Sequence, residues 1–401
     1  MDMRQEIELE EAFRIQENSL KTMQTEWVPL EKARGRRLSQ DLFAAISQPP
    51  FPRSPYDGYA LRSDDIKKAD KDHGVVLKVI GLSRAGVPAD VVVRPGTAVR
   101  IMTGAAIPEG ADCVIMQEKT DEGEEWVKVF AQVKAFENYC FAGDDFKEGD
   151  LLLSKGKIMT ALSLAIASQA GYDRIPVYPV LTAAVLSTGN ELALPGKKLK
   201  AGQIYDSNGI WAMERLEELG VEVKDACLAD DDCGAIEKEL RRLLKTADFV
   251  VTTGGISAGK YDLIPAALEA MGAEVLYKGV GIKPGMPTML ALVEGKPVLC
   301  LSGNPFAAIT AFELLGRHII SVCTGNPYIC PKKKRIPAAN HFGKRSGTRR
   351  FLQGRNDKNG VHLIYQENGL LKNLDGYQYL VEIPAGTPEV PAGTELTVYA
   401  V

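Results

Sequence analysis

Apolar positions repeat with two different periods along this chain, and the change of period divides it into regions. Residues 6–24 carry Ile7, Phe13 and Ile15 in an acidic setting, which predicts an amphipathic helix. From 74 to 135, short β-rich runs (Val75–Ile80, Thr97–Ile101, Cys113–Gln117, Trp126–Val133) alternate with Gly and Pro turns and predict a small antiparallel β domain. Residues 140–175 are mixed, with a helix expected over Ala161–Ala170 that ends at Gly171. Residues 177–325 then alternate predicted strands (Val180–Leu186, Val221–Leu228, Phe249–Thr253, Pro297–Leu301) with predicted helices (Asn208–Leu219, Ile236–Leu244, Leu263–Met271, Phe306–Val322). This is the rhythm of a parallel α/β sheet. After Lys332–Arg335, short strands and glycine turns predict a C-terminal β-barrel-like domain. The fold class expected is therefore multidomain α/β and β, with a central Rossmann-like α/β domain flanked by small β domains in an elongated subunit. The expected divisions are 1–25 with 41–53 and 140–176; 26–40 with 54–139; 177–329; and 330–401.

Glycine loops sit where the α/β strands should end. They read Leu186-Ser-Thr-Gly-Asn-Glu-Leu192, Val251-Thr-Thr-Gly-Gly-Ile-Ser-Ala-Gly-Lys-Tyr-Asp262, Ile282-Lys-Pro-Gly-Met-Pro-Thr288 and Leu301-Ser-Gly-Asn-Pro-Phe306. Ligands of open α/β sheets bind outside the carboxyl ends of the strands. Glycine lets backbone amides approach an anion, and helix N-termini favour negative charge. An anionic, phosphorylated small molecule is thus expected against Thr188, Gly189, Gly254, Gly255, Ser257, Gly259, Lys283, Pro284, Gly285, Ser302, Gly303, Asn304 and Pro305. Glu191, Asp231 and Asp262 follow successive strands of this sheet. Carboxylates grouped beside phosphate hold Mg²⁺, whereas each one alone would read equally well as a helix cap. The segment Gly254–Tyr261 is a near miss to a nucleotide-hydrolase phosphate loop: Tyr261 stands where a Ser or Thr should meet the metal, which weighs against that class. Lys278 and Lys283 flank Gly279–Ile282, and Pro284 and Gly285 then force a stiff turn suited to clamping an oxyanion, although two solvated lysines would show the same spacing.

Composition narrows the chemistry. The formal net charge of −4 over 401 residues gives no general pull towards nucleic acid or membrane. Seven scattered cysteines and four histidines offer no Cys-x-x-Cys or His-Glu-x-x-His, so a metal here should sit on oxygen, and a reducing cytoplasm is the expected location. The N-terminus has no signal-peptide pattern and no run reaches ~18 apolar residues, so no membrane span is expected. Residues 331–358 hold ten Lys or Arg against one acid, Asp357, which reads as a solvated or phosphate-facing surface.

Ser54-Pro-Tyr-Asp-Gly-Tyr-Ala60, Arg100-Ile-Met-Thr-Gly-Ala105, Gly143-Asp-Asp145, Ser187–Leu192, Gly202-Gln-Ile-Tyr-Asp-Ser-Asn208, Thr253–Gly259 with Asp262, Ile282–Gly285 and Ser302–Pro305 occur in order along nearly the whole chain. Together they resemble the MoeA family of molybdopterin molybdenumtransferases, which includes the E domain of gephyrin. The resemblance implies a homodimer that inserts molybdenum from molybdate into adenylated molybdopterin with release of AMP and help from Mg²⁺. It implies an upstream molybdopterin adenylyltransferase as partner, and a site in which the Asp57 loop of one subunit faces the α/β domain of the other. By position it assigns functional roles to Asp57, Thr103, Asp145, Glu191, Asp231, Asp262 and Lys278. The chain departs from the family at Lys260, where an acid is usual, at Met286, where a lysine is common, and at Ser302 and Phe306. It also carries one extra residue between Lys278 and Ile282, and Gln366–Leu374 lacks the usual serines. These changes leave two other expectations beside the insertion reaction. One is a tungstate-preferring paralogue; the other is a non-catalytic molybdopterin-binding scaffold. A third reading, a pterin adenylyltransferase, is opposed by the Pro-rich loop bearing Asp57.

Overall fold

The computed structural model describes residues 5–256, 263–365, 371 and 375–401. Ser257, Gly259, Lys260 and Asp262 lie outside them, as does most of Gln366–Leu374. The chain falls into two compact units, Trp27–Val177 on the one hand and Met1–Glu26 with Tyr178–Val401 on the other.

The larger unit is built on a seven-stranded sheet. Its spatial order is Gln5–Ile7, Glu274–Val280, Met289–Val293, Lys296–Leu301, Phe249–Thr253, Thr182–Thr188, Glu222–Ala229. The last four are mutually parallel, as the strand–helix rhythm predicts. Met289–Val293 runs antiparallel to both neighbours, so the sheet is mixed where a wholly parallel one was expected. Its cause is a tight hairpin: Glu294 and Gly295, both at positive φ (53° and 80°), turn the chain straight back into Lys296–Leu301. The first predicted α/β strand is displaced by two residues, to Thr182–Thr188, which brings Thr188 into the strand end.

The N-terminal helix is shorter than expected, Leu9–Ser19, because Gln5–Ile7 instead pairs in parallel with Glu274–Val280. Its buried face, Leu9, Ala12 and Ile15, joins the core beneath Leu181, Val185, Phe249 and Leu299. The Phe306–Val322 helix resolves into Pro305–Ala311, a π turn at Phe312–Gly316 and Arg317–Thr324. That run of 20 residues is long and apolar enough to cross a membrane, yet 83% of its apolar window is buried inside the protein, the signature of a core helix. Beneath the π turn, Glu313 (1% exposed) accepts from Arg215 at 2.7 and 3.1 Å and from Arg317 at 2.8 Å. Arg317 also donates to the Ile329 carbonyl at 2.6 Å. Two guanidinium groups thus share one buried carboxylate, and every member has partners, as burial of charge demands.

The C-terminal β sheet combines Lys333–Pro337, Arg349–Asp357, Gly360–Ile364, Tyr379–Ile383 and Glu395–Ala400 with the short strand Ile282–Lys283. Phe351, Leu380 and Tyr399 on it share the core of the α/β domain.

In the unit Trp27–Val177, a five-stranded sheet packs Tyr59, Leu61, Leu77, Ile115 and Val127 into its own core. One of its pairs, Val75–Ser83 with Thr97–Ile101, is parallel, which corrects the expectation of a wholly antiparallel domain. The predicted helix forms over Ala161–Gln169, with Thr160 capping the Ser163 amide and Gly171 at φ 86° beyond its end.

Candidate active site at the sheet edge

Four parallel strands end at one edge, and their last residues carry the predicted loops. Ser187, Thr253 and Leu301 are adjacent in register, and Thr188 pairs with Ala229. One register position back, Cys300 is followed across the sheet by Met289 and then Lys278. The topology therefore brings Thr188–Glu191, Asp231, Gly254–Gly255, Ser302–Pro305 and Lys278 to the same edge.

Two helices begin there. Asn304 caps the helix starting at Pro305 by accepting from the Ala307 amide at 3.3 Å, and Pro305 takes the first-turn position that needs no N–H. Asn208, first residue of the helix Asn208–Glu218, donates from Nδ2 to the Gly303 carbonyl at 2.8 Å. Arg215 and Glu313 hold the same two helices together two turns further on. A cavity of about 110 Å³ lies between these helix starts and the strand ends, walled by Thr188, Glu191, Asp206, Asn208, Gly254 and Gly303 among others. Helix N-termini and loop amides give it a positive field, and Glu191 and Asp206 add carboxylate oxygen.

The glycines are required by close approach. A Cβ on Gly254 (φ 90°) would stand 2.4 Å from the Thr188 carbonyl oxygen. On Gly189 it would meet the Glu191 carboxylate at 2.6 Å, which shows that Glu191 folds back over the loop amides. Thr188 is 2% exposed, and its hydroxyl has no hydrogen-bond partner among the described residues. A buried hydroxyl without a partner costs about 1–3 kcal/mol and is the kind of group a ligand satisfies. Asp231 and Asn190 staple adjacent loops: the Asn190 amide donates to Asp231 Oδ2 at 3.1 Å, and the Asp231 amide to Asn190 Oδ1 at 3.0 Å. Glu191 and Asp231 are both exposed to solvent. Among the described residues no three Asp, Glu, His or Cys side chains form a ready metal cluster. Asp262, the third expected carboxylate, falls outside those residues, as do Ser257 and Gly259.

Lys283 leaves this sheet. Ile282–Lys283 pairs with Arg349 and Arg350 of the C-terminal sheet, which sets Lys283 beside Arg350. Gly285 (φ 111°) packs against the Ala307 carbonyl, so the Lys283–Gly285 turn is tied to the helix that starts at Pro305. Arg350 is nearly buried, donates to Ser346 Oγ at 3.2 Å and lies over the Tyr365 ring at 5.5 Å. Lys344 donates to the Tyr365 hydroxyl at 2.6 Å. In the sequence Arg350 belongs only to a basic stretch; its partnership with Lys283 depends on strand pairing across 67 positions, which no local motif records. Arg349, by contrast, is neutralised by Glu10 at 2.6 Å and Glu382 at 2.7 Å.

Asp57 and Thr103 belong to the other unit. Thr103 donates to Asp57 Oδ1 from its amide at 2.6 Å and its hydroxyl at 2.7 Å. The hydroxyl bond, then the amide bond, hold the Asp57 carboxyl below the usual aspartate range. Asp145 is bound separately, by the Gln48 carbonyl at 2.9 Å and Gln169 Nε2 at 3.1 Å.

Residues 7–171 match the MoeA N-terminal region (domain I and II), and residues 184–321 match a probable molybdopterin binding domain. The chain belongs to the MoeA family. A molybdopterin molybdenumtransferase of Staphylococcus aureus is 32% identical over 398 residues, covering 98% of this chain and 95% of the relative. The Staphylococcus epidermidis protein of the same name is 30% identical over 371 residues, covering 91% and 88%. The solved structure of the molybdopterin biosynthesis MoeA protein from Pyrococcus horikosii superposes with a TM-score of 0.85 at 30% identity, over 99% of both chains. The MoeA fold therefore holds across the whole length.

Proposed function

We propose that this chain is a molybdopterin molybdenumtransferase of molybdenum cofactor biosynthesis. It takes adenylated molybdopterin and molybdate, releases AMP and leaves the metal on the pterin dithiolene. The observation that carries this reading is the sheet-edge cavity, where two helix starts, glycine amides and the orphaned Thr188 hydroxyl converge on space bordered by carboxylates. Such a site takes a phosphoanhydride rather than a neutral ligand. Loop amides and helix N-termini bear the negative charge that gathers on the phosphate oxygens as the P–O bond breaks. Lys278 stands on the same edge, and Lys283 with Arg350 offers a second cationic position for the oxyanion. Asp57, held ionised by Thr103, and Asp145 are assigned to the same reaction.

The donor set fits Mg²⁺. It consists of oxygen ligands without cysteine or histidine, and Mg²⁺ is bound through one or two carboxylates plus substrate phosphates rather than by a protein cage. Glu191 and Asp231, with Asp262, would hold it, and the ion would neutralise the phosphoanhydride. A homodimer, a cytoplasmic location and supply of the substrate by a molybdopterin adenylyltransferase complete the proposal. All seven cysteines are free thiols, which suits that compartment.

AMP release from adenylated molybdopterin with Mg²⁺ tests the reading, run with molybdate, with tungstate and with neither. Oxyanion-dependent release supports it and names the metal. Tight pterin binding without any release would favour the non-catalytic scaffold and reject it.

A further inference from the structure

A second cavity, of about 450 Å³, lies within the unit Trp27–Val177 and is lined by Val79, Gly81, Leu82, Arg100, Met102 and Glu124. Its volume is in the range of small-molecule sites. The sheet makes it. Tyr59 and Leu82 both lie opposite Arg100 in register, so these three residues share one face of the sheet. The register shifts between Val79 and Leu82, and that irregularity, with Gly81 inside it, hollows the face. Tyr59 anchors this face from the core: it is fully buried, its hydroxyl donates to the Gly123 carbonyl at 3.1 Å, and the Arg100 guanidinium that lines the cavity lies over its ring at 6.0 Å. Glu124 follows Gly123 and brings a carboxylate to the rim. Asp57 stands two residues before Tyr59, and Arg100 acts on its carboxylate through space. Thr103, the partner of Asp57, directly follows Met102. The cavity therefore adjoins the Asp57–Thr103 pair.

Its walls and its charges suit a fused nitrogen heterocycle. Val79, Leu82 and Met102 offer apolar contact to the ring faces, while Arg100 and Glu124 supply one donor group and one acceptor group. Two such rings occur in the substrate of the proposed reaction, a pterin and an adenine. The pterin edge carries an amino group beside a ring N–H, two parallel donors for one carboxylate, and then a carbonyl for a guanidinium. The adenine edge sets a donor beside a lone pair, which a carboxylate repels.

We propose that this cavity is the subsite for the pterin ring, with Glu124 accepting from the amino and ring N–H groups and Arg100 donating to the ring carbonyl. The assignment rests on the transferase reading. Leu82 and Glu124 are exposed, so substitutions there leave the sheet core intact.

The test titrates full-length protein with 6-hydroxymethylpterin and, separately, with AMP, following pterin fluorescence anisotropy and calorimetric heat. Thermal unfolding of each variant confirms the fold. Leu82→Arg, which fills the cavity, and Glu124→Gln, which turns an acceptor pair into one acceptor and one donor, should each weaken pterin binding about tenfold or more. AMP binding should be unchanged. Pterin affinity unmoved by both variants would overturn the subsite, as would loss of AMP binding instead. Oxyanion-dependent AMP release by the wild-type protein is measured in parallel. If release is intact while pterin affinity ignores both variants, the subsite is wrong and the transferase reading stands. If release is absent while pterin affinity falls in both, the subsite stands and the transferase reading is wrong.

Discussion

At the sheet edge, the candidate groups hang from the ends of buried strands, from the loops that directly follow them or from the first turn of a helix. Thr188 closes a strand whose seven residues are nearly all buried, and Asn304 caps a helix that continues into the core. Around Asp57 the backbone is a Pro-rich loop, and position is set by two hydrogen bonds from a single residue, Thr103. The first site is stiffened by packing and by the buried Arg215–Glu313–Arg317 cluster. The second is stiffened locally and stays open to solvent. A reaction that must hold a phosphoanhydride in one fixed orientation gains from the first design, and a carboxylate that must stay ionised gains from the second.

The comparison breaks first at its anchor. Glu313→Ala would leave the buried Arg317 guanidinium without its carboxylate and the half-buried Arg215 with Glu218 alone, and a loss of about 3–5 kcal/mol is expected in urea unfolding. A loss under about 1 kcal/mol would show that packing alone holds the two helices. Gly254→Val comes next: the positive φ and the 2.4 Å approach to the Thr188 carbonyl predict roughly 1–3 kcal/mol of strain together with loss of AMP release. A stable, active variant would show that the loop need not lie against that strand end. Lys283→Gln should raise the KM for the oxyanion by roughly 10–100-fold with a smaller change in kcat, since it removes one charged hydrogen-bond donor and leaves Arg350. An unchanged KM would remove Lys283 from the oxyanion position.

The smallest effect is a shift in the titration of Asp57 on changing Thr103. Its depressed folded pKa contributes stability that is fully present above the unfolded value of about 3.9 and is lost as pH falls through the lower folded value. Thr103→Val keeps the amide donor and removes the hydroxyl, so the Asp57 carboxyl should titrate closer to about 3.9 by carboxyl-carbon NMR. No movement would mean that the amide alone sets the charge.

The same contrast explains how far the sequence could be read. Phe249–Thr253 and Thr97–Ile101 begin and end where their β-branched runs do, because in both the pattern is fixed by a buried face. The glycine loops were visible for the same reason: they end buried strands. Met289–Val293 was missed because Glu-Gly is a weaker hairpin signal than Asn-Gly, so the antiparallel insertion left no local mark. The helix expected over 6–24 lost its first residues to strand pairing with Glu274–Val280, a contact hundreds of positions away. Arg350 beside Lys283 is legible only once Ile282–Lys283 is seen to join the C-terminal sheet. The Asp57 loop carries no periodicity at all, and the role proposed for it rests on resemblance.

One measurement tests most directly whether these two differently built regions serve one reaction. Oxyanion-dependent AMP release is compared for the wild-type protein, Glu191→Gln and Asp57→Asn, each first shown to unfold at the wild-type temperature. Both variants should lose about 10²-fold or more in kcat, as expected when a charge that acts in the transition state is removed. Loss in Glu191→Gln with a wild-type rate in Asp57→Asn would contradict the account and leave the sheet edge as the whole active site.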